Sequence, residues 1–164
     1  KELPVHLCSI SGLICCFIMF IPQNKRQFLF EFLFYCGIIG GIQAIFTPLL
    51  DDYGGYNFFY IQFFFKHAMI IAFPIFLRNN LGMKLTKFSW LKTYIALNIL
   101  MILLIQLNNI LGSNYMYVNV PPAVDNPMVI GQWPTYLYWW ELFVLILILL
   151  VFFIGKPKSF EKIN

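Results

Sequence analysis

Five long runs of apolar residues alternate with short polar breaks along the 164-residue chain. An α-helix rises about 1.5 Å per residue, so each run is long enough, or nearly so, to cross the roughly 30 Å of hydrocarbon in a bilayer. The breaks contain proline, glycine, asparagine and charged residues, which end helices and form turns. The pattern predicts an all-α, polytopic transmembrane helix bundle, treated as a single domain over residues 1–164. The predicted spans are residues 3–21, 28–50, 58–77, 91–111 and 136–154.

The composition indicates that the solvent of this protein is lipid. Hydrophobic residues make up 60% of the sequence and charged residues only 11%, which is too little polar surface for a water-soluble globule of this size. The net charge of +4 comes from lysines and arginines scattered at the ends of apolar runs. That distribution excludes a basic patch for nucleic-acid binding.

All four cysteines lie inside apolar runs, at Cys8, Cys15, Cys16 and Cys36. A secreted disulfide framework would place them in exposed loops instead, so we expect free thiols. The sequence has no CxxC pair and no paired spacing of metal ligands. We therefore expect neither a metal nor a cofactor.

The charges of the loops predict how the helices are oriented. Cytoplasmic loops are enriched in lysine and arginine, which places the first loop, the third loop and the C-terminal tail inside. The second loop carries Asp51 and Asp52 and the fourth carries Asp125, with no basic residue, so both are predicted outside. This orientation predicts a multi-pass protein of the cell membrane, with the N-terminal end of the segment extracytoplasmic and the C-terminal end cytoplasmic. It also predicts one or more further helices upstream. The basic residues concerned are Lys25, Arg26, Arg78, Lys84, Lys87, Lys156, Lys158 and Lys162.

In this orientation the polar residues of the spans gather in the outer half of the membrane. Such residues are costly in hydrocarbon and mark cavities or sites, so we expect one pocket there. Glu31 is the exception, near the inner end of the second span, where we expect it to reach the headgroups beside Lys25 and Arg26. The outer group consists of His6, Cys8, Ser9, Ser11, Gln43, Thr47, Gln62, Lys66, His67, Gln106, Asn108, Asn109 and Glu141.

Cys8 and His67 are predicted at similar depth on different spans, and together they form a candidate catalytic pair. A cysteine becomes a strong nucleophile when an adjacent base takes its proton. Two other interpretations stay open, because most buried cysteines are inert and an intramembrane histidine often bonds a carbonyl. His6 is a weaker base for Cys8, since residues two apart point to nearly opposite faces of a helix. It could instead orient a lipid headgroup.

Lys66 lies eight residues into the third predicted span, where an unpaired ammonium group is costly. Either it pairs with Glu141, which is predicted at comparable depth, or it binds a phosphate group from the outer leaflet. Gly37 and Gly41 share one helix face and predict close helix packing rather than chemistry.

Four motifs occur in a recognisable order: LPVHLCS at 3–9, FFFKH at 63–67, NNILGSNYMY at 108–117 and GQWPTY at 131–136. Over essentially its whole length the chain resembles bacterial YwaF-type integral membrane proteins of the inner membrane. These are related to the vertebrate transmembrane-protein-164 lipid acyltransferases. The resemblance implies that Cys8 takes a fatty acyl group from a phospholipid, that His67 acts as base, and that a lysophospholipid accepts the acyl group.

Acyl transfer also needs hydrogen-bond donors for the developing oxyanion. The side-chain amides of Asn108, Asn109 and Asn114 are candidates for that role. The full set of candidate substrate-binding residues is His6, Gln43, Lys66, Asn108, Asn109, Asn114, Tyr115 and Glu141.

Three functions compete at this point. The first is a Cys/His membrane acyltransferase or lipid thioesterase. The second is a component of a transporter that binds a small solute or a lipid. The third is a non-catalytic assembly subunit whose polar residues only join helices. The enzyme requires a reactive Cys8, whereas the other two do not.

Overall fold

The computed structural model describes residues 3–48, 58–122 and 129–160, and all regular structure in these ranges is helical. The predicted all-α bundle is therefore confirmed. A short 3-10 helix, Ile18–Phe20, continues the first α-helix, and another, Tyr115–Tyr117, lies in the last loop. The α-helices are α1 (Leu7–Phe17), α2 (Gln27–Phe46), α3 (Phe58–Leu81), α4 (Ser89–Leu111) and α5 (Thr135–Gly155).

Four helices, α2 to α5, are long and apolar enough to cross a membrane, as predicted. The first predicted span is shorter than expected, because its apolar helix covers only Leu7–Phe20. His6 is extended, with φ −64° and ψ 145°, and the backbone N–H of Leu3 donates to the Tyr115 hydroxyl at 2.9 Å. A contact with the last loop thus replaces the first helical turn of the predicted span.

The central helix is α2, which contacts each of the other four α-helices. Its middle stretch, residues 30–37, is buried throughout. Phe30, Leu33 and Tyr35 have no exposed surface at all. The other helices leave large apolar side chains exposed, such as Phe65 on α3, which is the arrangement expected for surfaces that face lipid.

Glycines let α2 and α3 approach each other closely. A Cβ added at Gly37 would overlap the Ile70 carbonyl oxygen, and one added at Gly41 would lie 2.6 Å from the Ile71 side chain. Pro74 lies inside α3 and has no N–H, so the Ile70 carbonyl loses its usual helical donor. Because Gly37 has no side chain, its Cα can lie next to that oxygen. The predicted packing role of these glycines is confirmed.

Glu31 is fully buried between α2 and the start of α4. Its carboxylate accepts hydrogen bonds from Gln27 Nε2 and from the Thr86 backbone N–H, each at 3.0 Å, and forms an ion pair with Lys92. The prediction that Glu31 reaches the lipid headgroups is wrong. Three donors meet the carboxylate inside the bundle and compensate for the loss of water.

The described contacts place alternate loops at opposite ends of the bundle. At one end, Gln27 Nε2 donates to the Lys84 carbonyl at 2.9 Å, which joins the first loop to the third. At the other end, Leu3 contacts Tyr115 in the loop between α4 and α5. This up-and-down order matches the alternation of loop charges. Which end faces the cytoplasm stays a prediction.

Replacing Gly37 by alanine tests the close packing of α2 on α3. Gly37→Ala should destabilise the detergent-purified protein by about 1–3 kcal/mol, because the new Cβ meets a backbone oxygen that cannot move without shifting α3. The measurement is the thermal melting temperature. Gly40→Ala is the matched control, because its Cβ would meet Leu7 and Cys8 at 3.6 and 3.7 Å, which is ordinary contact. Both variants gain the helix propensity of alanine, so equal melting temperatures would contradict the packing.

Candidate functional site

Cys8 lies in the first turn of α1, with its half-buried side chain facing α2. Its thiol donates to the Gly40 carbonyl oxygen at 3.8 Å. The first helical N–H groups of α1 have no partner within the helix, and the positive end of the helix dipole is located there.

His67 is buried on α3, at 5% exposure. Its Nδ1 lies 2.7 Å from the Phe63 carbonyl oxygen. A carbonyl only accepts hydrogen bonds, so Nδ1 carries the proton and Nε2 keeps its lone pair in the neutral ring. The Phe63 ring packs on the imidazole with centroids 4.2 Å apart. The residue is therefore held in the tautomer that a general base at Nε2 needs.

Two adjacent glycines of α2 bring Cys8 and His67 to the same level of the bundle. Cys8 Sγ would lie 3.7 Å from a Cβ at Gly40, and the His67 carbonyl oxygen would lie 3.1 Å from a Cβ at Gly41. Helices α1 and α3 also contact each other. Within the described part of the chain, no hydrogen bond links the thiol to the imidazole. The Cys8 thiol and the His67 backbone thus lie against neighbouring residues of α2.

Lys66 reaches from α3 to α1. Its ammonium donates to the Ser9 hydroxyl at 3.1 Å, and its Cε would lie 3.6 Å from a Cβ at Gly12. Glu141 instead accepts a hydrogen bond from Asn98 Nδ2 at 2.9 Å, between α5 and α4. The predicted pairing of Lys66 with Glu141 is wrong, because the two side chains project toward different neighbours.

Asn108 is the centre of a polar cluster in the loop between α4 and α5. It is buried at 2% exposure, and its Nδ2 donates to the Tyr115 carbonyl and to Asn119 Oδ1 at 3.1 and 2.9 Å. Its Oδ1 accepts from the Tyr115 N–H at 2.8 Å and from Ser113 Oγ at 3.0 Å. This side-chain amide has no hydrogen-bonding capacity left for a substrate oxyanion.

Asn109 and Asn114 extend the same cluster. Asn109 Oδ1 accepts from Asn119 Nδ2 at 2.8 Å, and Asn114 Nδ2 donates to the Val120 carbonyl at 2.8 Å. These amides therefore organise the loop, and for Asn108 the contacts correct its interpretation as an oxyanion donor. For Asn109 and Asn114 that role stays a prediction.

The loop packs on the residues that precede Cys8. The Met116 N–H lies 3.3 Å from His6 Nδ1, and the Tyr115 ring meets the His6 ring edge-on at 5.5 Å. Met116 and Tyr117 both have φ of 55°, a left-handed conformation that costs non-glycine residues about 1–3 kcal/mol each. Tyr136 holds this conformation by donating its hydroxyl to the Tyr117 carbonyl at 2.6 Å. His6 thus positions the loop, a role that sequence reasoning missed.

Among the described residues, the polar side chains that we predicted in the outer half form several separate contacts. A groove of about 330 Å³ opens instead between α1, α2 and α4, and its lining is apolar, with Ile10, Ile14 and Leu103 among its residues. Ile10 lies about 200° around α1 from Cys8, so the groove is on the far side of that helix from the thiol. The half-buried side chain of Gln43 makes no polar contact with a described residue.

Removing the Asn108 side chain tests the role of this loop. Asn108→Ala should lower the melting temperature and expose residues 113–120 to protease, because it leaves buried groups of Tyr115 unpaired at a cost of about 1–3 kcal/mol. Asn109→Ala, which removes one acceptor from an exposed residue, is the control and should change both measurements little. Equal protease sensitivity of the two variants would contradict the central role of Asn108.

Comparison with known proteins adds one result to this geometry. No curated protein and no solved structure matches the chain. The sequence model of the TMEM164 family matches residues 1–152, which include every site residue described above. The chain is thus a multi-pass membrane protein that belongs to the TMEM164 family.

Proposed function

We propose that this protein is a membrane acyltransferase or lipid thioesterase with Cys8 as nucleophile and His67 as general base. The observation that supports the proposal is that the Cys8 thiol and the His67 backbone lie at the same level of α2, at Gly40 and Gly41, with Nε2 of His67 available as the base. The LPVHLCS motif, its resemblance to YwaF-type proteins and the TMEM164 family support the same reaction class.

The proposed reaction has two steps of nucleophilic catalysis. His67 Nε2 takes the thiol proton of Cys8, directly or through one water, and the thiolate attacks an acyl ester carbonyl of a phospholipid. The ester C–O bond breaks as the thioester forms, and the imidazolium returns the proton to the departing lysophospholipid oxygen. The hydroxyl of another lysophospholipid then attacks the thioester and regenerates the thiol. With water as the attacking group, the thioester on Cys8 is hydrolysed, a fatty acid is released and the thiol is regenerated.

The position of Cys8 at the start of α1 supports the chemistry of the first step. Unpaired N–H groups at a helix N-terminus stabilise a thiolate and also an oxyanion that forms next to it. The backbone of Leu7 and Cys8 therefore replaces the asparagine amides as the proposed source of oxyanion donors. An acyl chain on Cys8 stays in hydrocarbon throughout, because α1 lies among apolar helices.

A lipid-binding component of a larger membrane assembly is the second candidate. The apolar groove between α1, α2 and α4 favours it, because its lining suits an acyl chain and has almost no polar surface for a small solute. In that case Cys8 is an ordinary buried thiol.

Replacing Cys8 separates the two candidates. Cys8→Ala should abolish covalent labelling of the purified protein by an acyl-chain activity probe, because the acceptor sulfur is gone. Cys8→Ser should retain the fold while abolishing acyl transfer, since oxygen is a weaker nucleophile of similar size. Cys16→Ala, which removes an exposed thiol, is the control and should label normally. Equal labelling of Cys8→Ala and the native protein removes the nucleophile from the proposal.

Replacing His67 tests the base separately. His67→Asn keeps a side-chain N–H that can donate to the Phe63 carbonyl but has no basic nitrogen. The rate of acyl transfer should fall by about 10²–10⁴-fold, while the melting temperature stays close to that of the native protein. A normal rate with His67→Asn would exclude the imidazole as the base.

A further inference from the structure

We propose that Lys66 and Ser9 form a binding site for the phosphate group of a lipid, next to Cys8. This inference rests on the proposed function, because it names the residues that hold the phosphate of the phospholipid in that reaction. Its evidence is the set of contacts made by Lys66, and these contacts do not require a reactive thiol.

Lys66 has no carboxylate partner in the described part of the chain. The carboxylates that the structure describes there belong to Glu31 and Glu141, and both are engaged elsewhere, with Lys92 and with Asn98. The Lys66 ammonium contacts the neutral hydroxyl of Ser9 at 3.1 Å. A cation at this depth in a membrane protein is stabilised by an anion or by water, and a lipid headgroup supplies the anion.

The donors around Lys66 match a phosphate oxyanion. The ammonium has three N–H donors, of which Ser9 takes one. Because Ser9 Oγ accepts from Lys66, its own O–H is directed to another acceptor. The N–H groups of Ser9 and Ile10 donate to the His6 carbonyl, so those of Leu7 and Cys8 represent the positive end of the helix dipole next to Ser9. The two remaining N–H groups of Lys66, the Ser9 hydroxyl and the start of α1 therefore lie together between α1 and α3.

The position of this group relative to the helix ends makes it accessible to a lipid. Ser9 is the third residue of α1, so the contact lies within a turn of that helix's end. Gly12 has no side chain, and the Lys66 stem lies over it at 3.6 Å from where a Cβ would be. The stem thus covers α1 while the ammonium points toward the helix start, which is the geometry of a lysine that reaches for a headgroup.

The location beside Cys8 gives the site its role in the proposed reaction. Ser9 follows the nucleophile directly in the chain, and in a glycerophospholipid only a few bonds separate the phosphate from the acyl esters. A phosphate held by Lys66 and Ser9 brings an ester carbonyl within reach of the Cys8 sulfur. Lys66 and Ser9 therefore act as positioning residues that orient the phospholipid of the proposed reaction relative to the thiol.

Binding measurements in a non-catalytic background test the site. The protein is the full chain with Cys8→Ser, in a neutral detergent, titrated calorimetrically with dihexanoylphosphatidic acid, dihexanoylglycerol or inorganic phosphate. The phosphatidic acid should bind about tenfold more tightly than the diacylglycerol, as expected for one charge-assisted contact. Lys66→Met should remove this preference and Lys66→Arg should keep it. Lys158→Met, which removes an exposed cation from the tail, is the charge-matched control and should leave it unchanged.

Two further arms identify the source of the phosphate and guard against misfolding. If millimolar inorganic phosphate displaces the phosphatidic acid in a Lys66-dependent way, the site binds phosphate itself; if it does not, the site requires the lipid. If Lys66→Met fails to fold, Ser9→Ala replaces it and should weaken phosphatidic acid binding about threefold or more. An unchanged preference for phosphatidic acid in the folded Lys66 or Ser9 variant overturns the inference.

The two proposals fail independently. Loss of phosphatidic acid preference in Lys66→Met, together with normal acyl labelling of Cys8→Ala, removes the enzyme but keeps the phosphate site. Cys8-dependent acyl transfer together with unchanged lipid preference in Lys66→Met keeps the enzyme and removes the phosphate site.

Discussion

The close approach of α2 and α3 is the constraint on which the rest of the structure depends. It exists because Gly37 and Gly41 have no side chains, and because Pro74 leaves the Ile70 carbonyl oxygen without its helical donor. In a lipid solvent there is little hydrophobic gain from joining helices, so packing at small residues and weak C–H···O contacts contribute much of the association. The positions of His67 and Lys66 depend on this contact, because both residues lie on the part of α3 that packs on α2.

Because α2 lies at the centre of the bundle, the described polar residues are divided among separate contacts. On one flank of α2, Cys8 and Lys66 belong to the contact of α1 with α2 and α3. Glu141 belongs to the contact of α5 with α4. A helix at the centre of a bundle separates its neighbours, so polar groups at one depth need not meet. This is the physical reason why the described polar residues form several small clusters.

The sequence was sufficient to predict the helices because length and hydropathy determine them locally. It also predicted the packing face of Gly37 and Gly41, since two glycines four residues apart share a face. The position of each residue in its apolar run predicted a similar level for Cys8 and His67, which agrees with their contacts at Gly40 and Gly41. The neighbour toward which each side chain projects could not be predicted, because it depends on which helices pack together. The predicted pairing of Lys66 with Glu141 was wrong for that reason.

Contacts between side chains and the loop backbone also could not be predicted from the sequence. Glu31 accepts a hydrogen bond from the Thr86 N–H, and Asn108 accepts one from the Tyr115 N–H. Both bonds depend on turns whose conformation no periodic pattern specifies. The shortening of α1 has the same origin, since Leu3 is bound to the Tyr115 hydroxyl. In each case a polar side chain was recognised correctly as important, whereas its partner was decided by tertiary structure.

The burial of Glu31 sets an order for the biogenesis of this protein. When α2 leaves the ribosome, its carboxylate has Gln27 beside it, but the Thr86 N–H lies 55 positions further along the chain and Lys92 comes later still. A helix with an uncompensated carboxylate is a poor substrate for release into lipid. Two of the three donors to the Glu31 carboxylate therefore become available only once α3 and the start of α4 have been synthesised.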